Sequence, residues 1–125
     1  MNRGIWIGAF GLLAVVGVAR AHEEGDHAAQ EKTLTGEVVD IVCYLNHGPK
    51  GLGKDHAGCA KQCIRGGLPV GIKSGDQIYL AALADHTAAN AKLAEFAGEQ
   101  VKATGRVLEK DGQHLFEISK IEKAE

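Results

Sequence analysis

The sequence predicts a mainly β domain with two helices, a five-stranded barrel of the OB type. The order is β-[α]-β-β-α-β-β, with the first helix inserted in the loop after strand 1. Three observations predict it. Runs rich in Val, Ile and Thr recur between turn signals, as strands do. Two other stretches end on glycine in the manner of helices, over 56–65 and 88–97. Removing the first helix leaves β-β-β-α-β-β, the order of a five-stranded Greek-key barrel.

The chain of 125 residues does not begin with the fold. Met1 to Gly4 carries one positive charge, Arg3. An apolar run of 14 residues, Ile5 to Val18, follows, and then Ala19-Arg20-Ala21. That is the layout of a signal peptide, residues 1–21, cleaved after Ala21. The run falls short of the roughly 20 residues a membrane-spanning helix needs, so the mature protein is expected not to span a membrane and to be periplasmic or secreted. Residues 22–31 are polar without periodicity and read as a flexible N-terminal segment. Residues 32–125 form the OB-like domain, one domain by length and expected to be monomeric.

Within the domain, Lys32 to Val42 reads as a long strand that bends at Gly36. The link from Gly48 to Gly53 is loop. Asp55 is placed to cap the first helix, which ends at Gly66-Gly67. Val70 to Ile72 and Gln77 to Leu83 are strands about a Ser74-Gly75-Asp76 turn. Asp85-His86-Thr87 opens the second helix. Glu99 to Glu109 and His114 to Glu122 form a hairpin about Asp111-Gly112. Thr35-Gly36-Glu37-Val38 and Thr104-Gly105-Arg106-Val107 share one pattern, which places a bendable glycine in strands 1 and 4 of a sheet that must coil.

Charge and composition exclude some functions. Loss of the signal removes Arg3 and Arg20, leaving 12 basic against 16 acidic residues, a formal charge of −4. With few aromatic residues besides, that argues against the nucleic-acid binding common among OB barrels. Fold alone therefore assigns no function.

All three cysteines, Cys43, Cys59 and Cys63, fall within 21 residues, together with His47 and His56. At about 100° per residue, His56, Cys59 and Cys63 line one edge of the predicted helix. Ala57, Ala60 and Ile64 form the adjoining apolar face, and Cys43 leaves the end of strand 1. Three readings follow. In the first, Cys43, His56, Cys59 and Cys63 form a Cys₃His site for zinc or copper, since a metal tolerates wider spacing than a disulfide and thiolates suit both ions. His47, His22 and His114 are further candidate ligands. In the second, Cys43 pairs with Cys59 or Cys63, and the disulfide staples a binding module for a protein or small-molecule partner. Export permits that bond, and three cysteines leave one unpaired. In the third, the cysteines are small core residues. An envelope thiol-redox role ranks behind the first two. Neither an orienting third group nor a substrate pocket accompanies the thiols, so enzymatic activity is not the expectation. A metal ion is the expected partner, with another envelope protein as a second.

The segments Thr35-Gly36-Glu37-Val38-Val39-Asp40, Cys43-Tyr44, His56-x-x-Cys59-x-x-x-Cys63 and Gly67-Leu68-Pro69-Val70-Gly71 together resemble a group of small, exported, poorly characterised bacterial proteins with an OB-like barrel. That resemblance implies the fold and export, and no particular activity. Locally, Cys59-x-x-x-Cys63 with a nearby histidine is similar to the copper motif of thioredoxin-fold chaperones for cytochrome oxidase assembly.

Overall fold

The computed structural model describes residues 31–125. The signal segment and His22 lie outside the described residues. Five strands close into a barrel in the order β1-β2-β3-β5-β4, with β4 returning to β1. They are β1 (Glu31–Asp40), β2 (Val70–Ser74), β3 (Gln77–Leu83), β4 (Gln100–Lys110) and β5 (Gln113–Lys123). Every pairing is antiparallel except β3 with β5. This is the OB-like barrel the strand order predicts.

Both strand glycines stand where the sheet must coil. β1 pairs with β4 along Glu31–Glu37 and with β2 along Glu37–Asp40, so it passes between partners at Glu37, directly after Gly36. A Cβ at Gly36 would lie 2.3 Å from the Lys73 carbonyl oxygen, a clash no side chain survives. Gly105 sits at the register shift between β4 and β5, where a Cβ would lie 2.1 Å from the Glu117 carbonyl oxygen. The β4–β5 turn uses Asp111 and Gly112, both at positive φ, the requirement of a tight hairpin. Inside the barrel, Val38, Ile72, Val101, Ala103, Phe116 and Ile118 are buried.

Three short helices accompany the barrel: α1 (Ile41–His47), α2 (Ala57–Arg65) and α3 (Asn90–Leu93). α1 corrects the sequence reading, which carries strand 1 on to Val42. The strand ends at Asp40, whose side chain accepts hydrogen bonds from the Val42 and Cys43 amides and so starts a helix instead. The β-branched Ile41 and Val42 mask that start, because they score as strand. A 3₁₀ turn, Gly48–Gly51, then folds back on α1, and a Cβ at Gly51 would touch the Cys43 carbonyl at 2.9 Å.

α2 forms as expected, with one difference at its start. His56 occupies the cap position without a side-chain capping bond, and Asp55 does not cap. Ala60 and Ile64 are buried on the barrel while Gly58, Gln62 and Arg65 are exposed, the division the helical wheel predicts. The Asn90 amide fixes the far end of α2 by donating to the Ile64 and Leu68 carbonyls at 2.8 and 2.7 Å. Lys61 and Arg65 both pair with Glu95 across the surface.

The second predicted helix is shorter than its sequence suggests. Asp85 accepts bonds from the Thr87 amide and hydroxyl, which makes a local turn with His86 at positive φ. The helix begins only at Asn90 and passes into a 3₁₀ turn at Ala94–Phe96.

Candidate metal centre

Two elements bring the three cysteines together. Cys43 stands in the first turn of α1, held by the bond from its amide to Asp40 Oδ1. Cys59 and Cys63 lie one turn apart on α2, beside the face that Ala60 and Ile64 bury. Docking α2 on the barrel therefore sets its cysteine edge against the start of α1. The three sulfurs all lie within 4.8 Å of one another. All three are free thiols; Cys59 is exposed, and Cys43 and Cys63 are half-buried.

This spacing fits an ion at the centre. Sulfurs about 2.3 Å from a tetrahedral zinc ion stand about 3.8 Å apart. Closing the group onto an ion thus changes each sulfur separation by no more than about 1 Å.

The predicted histidines are placed differently. His56 is not among the residues whose ligand atoms meet within 4.8 Å, although its Nε2 is buried without a hydrogen-bond partner. His47 ends α1 and is exposed. His114 lies on β5, where Nδ1 is 3.0 Å from Glu109 Oε1 and the ring packs edge-on to Tyr79. Neither belongs to the thiol group.

Asp40 is a member of the site that the sequence reading overlooks. It is fully buried, caps α1 through Oδ1, and neighbours two of the thiols. A thiol proton held towards its carboxylate oxygen favours the neutral thiol over the thiolate, and its negative charge adds to the effect. Asp40 foremost, and then burial, pushes the Cys43 thiol up from 9.0 to about 12. Asp40 and burial push Cys63 up as well, helped by Cys59. The available signal is positional: Asp40 precedes Cys43 by three residues, as His56 precedes Cys59.

The thiolate is the form that alkylates. In metal-free protein, Cys43 is expected to label slowly with iodoacetamide at pH 8. Its rate should keep climbing as pH rises from 9 towards about 12, where the thiol titrates. Residue-resolved mass spectrometry across this range checks the order. A Cys43 rate already level at pH 9 contradicts the role given to Asp40.

Fold and site together define a small OB-like barrel that carries three convergent thiols on the helices after its first strand. Comparison with known proteins finds no matching family model, no matching curated sequence and no matching solved structure.

Proposed function

We propose that this is an exported metal-binding protein, acting in the periplasm or outside the cell, that holds one zinc or copper ion at Cys43, Cys59 and Cys63. The observation that carries the reading is the convergence of three free sulfurs within 4.8 Å. They come from two helices joined by a loop of nine residues, Gly48 to His56, so the convergence is a product of the fold. Soft thiolates at this spacing suit zinc and Cu(I) and suit magnesium or calcium poorly. The layout of residues 1–21 and the formal charge of −4 after their loss support export and disfavour nucleic acid.

Titration of reduced, metal-free protein with Zn(II) or Cu(I) against a chromophoric chelator tests the reading. One equivalent should bind, and a variant with both Cys59 and Cys63 changed to serine should bind none. Equal uptake by that variant places the metal elsewhere.

A further inference from the structure

The two buried acids of the barrel differ in their surroundings. Glu117 has a cationic partner, Arg106 at 2.6 Å, and the His86 ring lies 3.3 Å from its other oxygen. Asp40 takes part in none of the ion pairs among the described residues. Its exposure is 0%, and while Oδ1 accepts the Val42 and Cys43 amides, Oδ2 is buried with no hydrogen-bond partner. A carboxylate taken out of water without a cation or a full set of donors costs several kcal/mol. A fold that keeps one in place is expected to supply a counter-charge.

Beside Asp40 stand Cys43, whose amide donates to Oδ1 at 3.3 Å, and the thiols of Cys43 and Cys63, which its carboxylate holds in the neutral form. The carboxylate is not within 4.8 Å of all three sulfurs, so it flanks the group rather than sitting inside it. Its capping bonds fix its orientation and leave Oδ2 as the unengaged oxygen. A cation among the sulfurs would answer both needs, drawing the thiolates together and neutralising the buried acid.

We propose that Asp40 supplies the fourth, oxygen donor to the ion held by Cys43, Cys59 and Cys63, which makes the site one for a divalent ion of the zinc class rather than for Cu(I). The inference rests on the metal site proposed above. Zinc accepts carboxylate oxygen at about 2.0–2.2 Å beside thiolates. Cu(I) is satisfied by soft sulfur donors alone and gains little from a hard oxygen. His56, whose Nε2 is also unpartnered, is the competing fourth donor. Asp40 is favoured because it is an acid, is wholly buried with Oδ2 unpartnered, and lies against Cys43 through the amide bond to Oδ1.

Asp40→Asn separates the two roles of the residue. Asparagine caps a helix about as well as aspartate, so α1 is retained while the charge is lost. Zn(II) and Co(II) affinities should fall by about 10–100-fold or more, the scale of losing a partner to a metal site. Cu(I) affinity and the cobalt–thiolate charge-transfer band should persist. His56→Ala should leave zinc affinity unchanged. The inference is overturned if Asp40→Asn binds Zn(II) like the parent, or if His56→Ala loses the ion instead. Should Asp40→Asn fail to fold, isotope-edited infrared spectroscopy of the parent labelled with [¹³C]aspartate decides: zinc binding should shift one carboxylate stretch, and no shift overturns the proposal. A parent that binds none of Zn(II), Co(II) and Cu(I) defeats the metal reading itself, a result distinct from each of these.

Discussion

Replacing Cys59 with serine is expected to remove stoichiometric metal binding while leaving the metal-free barrel close to its original stability. The two halves of that expectation have separate causes. Cys59 is exposed, and surface substitutions away from special features usually change stability by less than about 0.5 kcal/mol. In the loaded state it provides one of three thiolates, and a hydroxyl is a poor substitute for a soft donor. The thermal consequence is large because an ion that binds only the folded state stabilises it by mass action. At free metal 100 times the Kd the gain is about 2.7 kcal/mol. For a domain of this size each kcal/mol shifts Tm by about 4–8 °C, so the parent should melt roughly 10–20 °C higher with zinc than with a chelator. In Cys59→Ser that difference should vanish, while the two melting curves recorded in chelator should nearly coincide. Calorimetry of both proteins with and without metal checks the pattern.

Ile64→Ala is expected to have the larger effect on the fold. Ile64 has 0% exposure and joins α2 to the core with Val38, Leu93 and Phe116. Truncating a buried isoleucine to alanine costs about 2–5 kcal/mol, from lost transfer energy and the cavity left behind. A loss of about 3 kcal/mol lowers Tm by roughly 12–24 °C. The substitution removes no ligand, yet it loosens the helix that carries Cys59 and Cys63. Metal affinity should therefore fall, and saturating zinc should restore part of the lost Tm by tying α2 back to Cys43 on α1. Denaturant unfolding with and without zinc measures both. Full stability in the metal-free variant means that α2 does not depend on this contact.

The barrel was legible because its requirements are local. Strand alternation, the Asp111-Gly112 turn and the glycines at 36 and 105 are each demanded by backbone geometry that few other residues meet. The apolar face of α2 was equally readable, since Ala60 and Ile64 repeat with helical period. The start of α1 was not readable, because Ile41 and Val42 favour a strand and only the Asp40 side chain overrides them. The site was partly legible for the same reason. The clustering of three cysteines is visible along the chain, and their convergence follows once α2 packs on the barrel. The identity of the polar neighbour is a tertiary fact. His56 shares the helix edge with the cysteines, whereas Asp40 reaches Cys63 only after the chain has turned through α1 and the following loop. Helical spacing finds the first kind of neighbour and is blind to the second.

Metal content and thiol count, measured together on the purified protein, bear most directly on the metal site. The expected result is one equivalent of zinc or copper per chain and three thiols that react once the metal is chelated. No metal together with a single reactive thiol would contradict it, and would mean that two of Cys43, Cys59 and Cys63 are joined in a disulfide.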